Sequence, residues 1–137
     1  MAITLTKVHS FVENLAEKAI DLSGAALTVA LTNTAHTATW DELADLTEVA
    51  YTNCSTRVIT VASSSQTTGT YKLVLTDLVL TASGGSVGAF RYVYIYDDGS
   101  TGDKLIGYYD YGSAITLAAG ETLTLDFDGS AGVLTLV

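Results

Sequence analysis

The sequence contains no proline, a single cysteine and few charged residues. Without proline, its turns must be built from Gly, Asp, Asn and Ser. Cys54 has no second cysteine with which to form a disulfide, which favours synthesis in a reducing cytoplasm. Charged residues make up 15% of the chain, against about 25% in typical soluble domains. A surface so poor in charge is typical of a protein that packs against other proteins.

Basic residues are especially scarce. Six Lys and Arg stand against fifteen Asp and Glu, which gives a net charge of −9. Nucleic acids and anionic membranes are bound largely through Lys and Arg, so we expect neither as a partner. No apolar run approaches the roughly 20 residues that span a bilayer. The N-terminal residues lack the basic segment of a signal peptide, so we expect none.

Residue types that carry catalysis or bind metals are scattered along the chain. His9 and His36 have no Cys, Asp or second His at metal-ligand spacing, and no nucleophile signature surrounds Cys54. Two acidic segments, residues 97–103 and 126–130, weakly resemble calcium loops but lack the EF-hand glutamate. We interpret both as hairpin turns, with a weak calcium site as the alternative. We therefore expect no enzyme and no required cofactor.

The chain has 137 residues, a length typical of one domain, which would span residues 1–137. One amphipathic helix is predicted over about residues 7–20. Its apolar residues recur at three- and four-residue steps: Val8, Phe11, Val12, Leu15, Ala16 and Ala19. We expect this stripe to pack on a sheet, with partner binding by a free helix as the alternative. Gly24 is placed to end the helix.

Strand patterns fill about residues 25–137. Eight or so short alternating segments are separated by turn residues at spacings near ten, which predicts an antiparallel β-sandwich or jelly roll with the helix packed on it. Residues 57–61 are predicted as a strand, and residues 63–69 as a flexible loop. Thr39 and Glu42 have the spacing of a capping box at a short helical turn.

Residues 90–127 are the most informative segment. Alternation places Phe90, Tyr92, Tyr94 and Tyr96 on one face of a strand, with Arg91, Val93 and Ile95 on the other. Strands of this kind are normally covered on both faces, and a small domain has little chain with which to cover both. We therefore expect aromatic side chains to fill the core on one face and to contact a neighbouring subunit or the helix on the other. The candidate interface comprises Trp40, Tyr92, Tyr94, Tyr108, Tyr109 and Tyr111.

Several segments carry a resemblance to a known family: KVHSFVENLAEKAIDL, LTVALTNTAHTA, ADLTEV, GGSVGAFRYVYIYDD and KLIGYYDYGSAITLAAGETLTLDF. Over nearly its whole length, the chain resembles small proteins encoded in the structural modules of tailed bacteriophages. The resemblance implies a virion structural protein without catalytic residues. Its most specific implication is a head decoration or cement protein on the outer capsid surface, made in the host cytoplasm. The implied partners are the major capsid protein and copies of the chain itself, for example in a trimer.

An alternative stays open from the same residues. A tail- or fibre-associated virion protein could bind a glycan or receptor through its aromatic face, since tyrosine offers a large rigid ring and a polar tip. Presence in many copies per head would favour the decoration protein. Low copy number together with glycan binding would favour the tail protein.

Overall fold

A computed structural model of the chain describes residues 4–23 and 26–137. Within these residues the fold is mainly β, with antiparallel sheets and one short α-helix, as the sequence predicts. The helix is α1 (Phe11–Ala16), and Leu43–Asp45 form a single turn of 3₁₀ helix. The strands are β1 (Thr6–Lys7), β2 (Leu27–Thr32), β3 (Val61–Thr67), β4 (Thr70–Leu75), β5 (Leu78–Thr81), β6 (Val87–Asp97), β7 (Lys104–Leu117), β8 (Thr122–Leu125) and β9 (Leu134–Leu136).

The central sheet has the strand order β1-β7-β6-β2. The long hairpin of β6 and β7 forms its middle, and every residue of β2 is buried. Residues 92–97 of β6 are also buried, so the chain itself covers both faces of this part of the strand. No partner is needed to cover it.

Two smaller sheets complete the architecture. One has the order β3-β4-β9 and the other pairs β5 with β8. Buried side chains from all three sheets and from α1 form one hydrophobic cluster, which gives the fold a sandwich-like character. The finer expectation of a jelly roll stays a prediction.

The helix is shorter than the predicted span of residues 7–20. Residues before it extend the central sheet instead: β1 pairs with β7, and the Val8 N–H donates to the Ile106 carbonyl at 3.0 Å. After it, Lys18 adopts a left-handed backbone with φ of 65°, which the α-helix does not allow. Phe11 is fully buried, but Val12 is 53% exposed. The buried side of the helix is therefore narrower than the predicted stripe. Gly24, expected to end the helix, lies outside the described residues.

Two further local predictions are wrong. Residues 63–69 were expected to form a loop, but most of them belong to β3, whereas residues 57–60 precede that strand. The capping interaction involves Glu42 and Asp45 rather than Thr39 and Glu42. The Glu42 N–H donates to the Asp45 carboxylate at 3.0 Å, which satisfies an amide at the start of the 3₁₀ turn.

Candidate functional site: the two tyrosine faces of the central sheet

The register of the β6–β7 hairpin divides the candidate tyrosines between two faces. Tyr94 lies opposite Tyr108, and Val93 lies opposite Tyr109. Because neighbouring residues of a strand point to opposite faces, Tyr108 and Tyr109 lie on different sides of the sheet. The six predicted interface residues therefore do not form one surface.

The first face carries an aromatic cluster, formed by His36, Trp40, Tyr92, Tyr94 and Tyr108. The segment after β2 brings His36 and Trp40 over the tyrosines of β6 and β7. The His36 ring stacks on Tyr108 with centroids 4.7 Å apart, and Trp40 meets His36 edge-on at 5.7 Å. Tyr94 and Tyr92 lie 5.2 and 6.2 Å from Tyr108. These distances are typical of favourable aromatic contacts.

One hydrogen bond fixes the centre of the aromatic cluster. His36 Nδ1 lies 2.8 Å from the Tyr94 hydroxyl, whereas His36 Nε2 is buried and has no hydrogen-bond partner among residues 4–23 and 26–137. Burial, with a smaller contribution from His9, lowers the pKa of His36 below its usual 6.5. The ring is therefore neutral at pH 7. Burial, followed by the neighbouring tyrosines, raises the pKa of Tyr94.

Exposure decides which members of the cluster can contact another molecule. Tyr94 has no exposed surface, and Tyr92 is 8% exposed. Trp40 and Tyr108 are half-buried. A partner on this face would therefore contact mainly Trp40 and Tyr108, with the other rings holding them in place.

The opposite face carries a tyrosine–aspartate groove, formed by Asp77, Tyr109, Tyr111, Asp126 and Phe127. It has a volume of about 360 Å³. Tyr109 is mostly buried against Phe127, with ring centroids 6.2 Å apart, while Tyr111 is half-buried. Burial raises the pKa of Tyr111, and the nearby Asp126 carboxylate raises it further. The groove thus places aromatic rings beside carboxylates.

A hydrogen-bond acceptor in the connection between β4 and β5 holds the backbone of the groove in place. Asp77 lies between β4 and β5, and its Oδ1 accepts the Phe127 N–H at 2.8 Å. This hydrogen bond joins Phe127, just after β8, to Asp77, where the alternation of apolar residues in the sequence shifts by one position. In the sequence, the alternating set of Tyr71, Leu73 and Leu75 is followed by Leu78 and Leu80 in the opposite phase, which predicts a bulge or a bend at residues 76–77. The structure has the connection between β4 and β5 there, and these strands belong to different sheets.

An exposed ion pair lies next to a large bulge in β7. Arg91 Nε and Nη2 donate to the two Asp110 oxygens at 2.7 and 2.9 Å. Arg91, followed by the Gly112 N–H, lowers the pKa of Asp110. Phe90 pairs with Ile115 and Tyr92 with Asp110, so residues 111–114 leave the ladder. The ion pair holds Asp110, the last residue of β7 that pairs with β6 before the bulge.

The carboxylates of the acidic turns accept hydrogen bonds from backbone N–H groups. Asp97 accepts N–H groups from Gly99 and Asp21 at 3.0 and 2.9 Å. Asp128 accepts those of Ser130 and Ala131 at 2.8 and 2.7 Å. Across residues 4–23 and 26–137, the structure brings together no group of three or more His, Cys, Asp or Glu that could hold a metal.

The structure also describes the surroundings of Cys54 and the lengths of the helices. Cys54 is half-buried, and burial raises the pKa of its thiol. A raised pKa lowers the fraction of reactive thiolate. In the part of the chain that the structure describes, no helix has the length and apolar character needed to cross a bilayer.

Searches of protein-family models, of curated proteins and of solved structures find no match to this chain. The fold thus defines a class, a mainly β protein with antiparallel, sandwich-like sheets.

Proposed function

We propose that the chain is a structural protein of a tailed-bacteriophage virion, and specifically a decoration protein that binds the outer surface of the capsid. The resemblance of its sequence segments to phage structural proteins suggests this class. The structural observation that supports a binding role is the aromatic cluster, which presents Trp40 and Tyr108 from a rigid base. Aromatic side chains held in place are frequent anchors of protein interfaces.

The net charge and the low content of charged residues are consistent with a decoration protein. A net charge of −9 disfavours binding to packaged DNA, because like charges repel. Few charged residues also lower the desolvation cost of packing against a shell. Many modest contacts from repeated copies on a capsid would add to a large total avidity. The major capsid protein and further copies of this chain are the proposed partners.

The first test is the copy number of the protein in purified particles. We expect it in capsid fractions in proportion to the major capsid protein, measured by quantitative mass spectrometry. Particles that lack it should release their DNA at a lower temperature. Recovery in tail fractions alone, at low copy number, would contradict the decoration role.

A second test addresses the aromatic cluster. We expect Trp40→Ala to weaken binding to undecorated heads at least about tenfold, because truncation of a central aromatic anchor costs about 2 kcal/mol or more. Val79→Ala is the control, since Val79 is an exposed side chain on β5, outside the cluster. Co-sedimentation with heads measures both variants, and circular dichroism verifies their folds. Equal binding by the two variants would exclude Trp40 as an anchor.

A tail- or fibre-associated protein that binds a glycan is the second candidate, and the tyrosine–aspartate groove favours it. Sugars pack their C–H faces on aromatic rings and donate hydroxyl hydrogen bonds to carboxylates. Tyr111 and Asp126 both line the groove and offer these two kinds of contact. The sequence groups Tyr108 with Tyr109 in one candidate interface. Tyr108 faces the other side of the sheet, so it does not line this groove.

A glycan array tests this candidate. Binding should be lost in Tyr111→Ala and in Asp126→Asn, which removes one charge with little change in shape. Asp98→Asn, in the turn between β6 and β7, is the matched control and should bind like the original chain. An array without binding would remove the glycan candidate and leave the decoration role unaffected.

A further inference from the structure

The outer edge of β3 carries an inference that does not depend on the proposed function. This strand is the first in the order β3-β4-β9 and has a strand on one side only. Its pairing with β4 is regular from Ser63–Val74 to Thr67–Thr70, after a shift near Val61. Ladder bonds alternate along an antiparallel pair, so every second residue of β3 directs its N–H and C=O away from β4.

Other edges in the described part of the chain are covered, short or irregular. β6 and β7 extend beyond their pairing with β2 and β1, but register shifts in the β6–β7 ladder divide these edges into short pieces. The outer side of β2 is occupied by the chain itself: Val29 and Ile59 N–H groups bond to Arg57 and Leu27 carbonyls at 2.9 Å each. Thr81 of β5 accepts the Ser55 N–H at 3.0 Å and donates its own N–H to the Ser55 hydroxyl at 2.9 Å. β1 and β9 have two and three residues, and β8 is flanked by acidic residues. Among these strands, β3 offers the longest free edge.

The free edge also lacks the side chains that usually prevent association. Exposed edge strands are commonly protected by lysine, proline or inward charges. The segment from Val61 to Thr67 reads VASSSQT and contains none of these. Its side chains are mostly exposed hydroxyls and one amide, which can donate and accept hydrogen bonds.

We propose that β3 pairs antiparallel with β3 of a second copy, which joins two three-stranded sheets into one sheet of six strands. Charge selects a second copy as the occupant. Antiparallel pairing of identical strands places like residues close together, and like charges there are destabilising. No charged residue lies between Arg57 and Lys72, so this edge brings no like charges together.

The surroundings of β3 strengthen the argument. Two copies of a chain with a net charge of −9 repel each other, so their contact should avoid acidic residues. The charged residues nearest to β3 in sequence, Arg57 and Lys72, are both basic. Both already have partners within the chain, since Arg57 donates to the Val29 carbonyl and Lys72 Nζ donates to the Ser130 carbonyl at 2.8 Å. A two-fold pair of this kind is closed and has no free β3 edge left.

Sedimentation equilibrium of the whole chain tests the proposal. We expect a monomer–dimer equilibrium, with a dimer of twice 14.3 kDa, at protein concentrations up to about 1 mM. The dimer fraction should rise with salt, because salt screens the repulsion between the two acidic copies. A monomer at every concentration would overturn the proposal. A trimer would also overturn it, because a two-fold edge contact closes at two copies.

Substitutions in β3 test whether this strand forms the contact between the two copies. Ser65→Lys should weaken dimerisation at least about tenfold by placing lysines on both facing edges. An equal mixture of Ser65→Lys and Ser65→Glu should form mixed dimers, which shows that the single variants are folded. Ser113→Lys adds the same charge at an exposed position of β7 and should dimerise like the original chain. Undiminished dimerisation of Ser65→Lys alone would place the contact elsewhere.

Discussion

His36 connects the segment after β2 to the central sheet through one side chain. It stacks on Tyr108, meets Trp40 edge-on and shares a hydrogen bond with Tyr94. All of these contacts exist with a neutral ring. A proton on His36 would place a charge in a partly buried aromatic environment where Nε2 has no partner among the described residues, and burial disfavours the charged form.

This lowered pKa predicts how stability depends on pH. The unfolded chain binds a proton at His36 near pH 6.5, whereas the folded chain binds it only at lower pH. Between these two values the unfolded state holds more protons. The contribution of His36 to the free energy of unfolding should therefore be constant above about pH 6.5, decrease as the pH falls through the folded pKa, and level off below it.

Urea unfolding at a series of pH values measures this dependence. His36→Gln should remove the decrease just below pH 6.5. His9→Gln should retain most of it, because burial rather than His9 is the main cause of the lowered pKa. An unchanged slope in His36→Gln would show that another group is responsible.

At the scale of elements, α1 contributes one fully buried side chain to the core, with Leu15 partly buried against it. Phe11 is fully buried in the hydrophobic cluster, whereas the next residue, Val12, is 53% exposed. The helix has six residues, far fewer than an isolated helix needs for stability in water. Its stability must therefore come from packing against the sheet.

Neighbouring substitutions in α1 test this dependence. We expect Phe11→Ala to lower the free energy of unfolding by about 3–5 kcal/mol, because it leaves a cavity in the core. Val12→Ala should change it by less than about 0.5 kcal/mol, as surface substitutions usually do. Chemical denaturation measures both. Similar losses in the two variants would contradict the observed orientation of the helix.

Sequence patterns located the elements that carry apolar alternation and missed those that do not. The hairpin of β6 and β7 was predictable because its apolar and aromatic residues repeat along both strands. β3 was missed because Ser63, Ser64 and Ser65 have no apolar period; backbone pairing with β4 makes this segment a strand. The helix was predicted too long because an apolar period does not reveal that Val8 bonds to the sheet.

The candidate site was predictable only in part. Alternation alone places Tyr108 and Tyr109 on opposite faces, so their separation could have been predicted. The contact of His36 with Tyr94 could not, because it joins residues 58 positions apart through an irregular segment. Local patterns carry no signal for such a contact.

The whole molecule depends on one shared core. Phe11 from α1, Val93 from the central sheet, Leu73 from the β3-β4-β9 sheet and Leu80 from the β5–β8 pair belong to the same buried cluster. Removing any one sheet would expose the apolar face of its neighbours. We therefore expect the sheets to unfold together.

The single tryptophan offers a direct measurement. Trp40 fluorescence reports on the aromatic cluster, and far-ultraviolet circular dichroism reports on all the strands. The two urea transitions should coincide in midpoint and slope, as expected for a two-state domain. An earlier transition in fluorescence would show that the segment after β2 detaches first and would contradict a single cooperative unit.

The bulge in β7 offers a practical use. Residues 111–114 lie outside the β6–β7 ladder, and Gly112 has a left-handed backbone with open space around it. The strand resumes its pairing at Ile115 whatever the bulge contains. A peptide tag inserted between Gly112 and Ser113 should therefore be displayed without a shift in strand register. Antibody labelling of such a tag on purified particles would test the proposed capsid role.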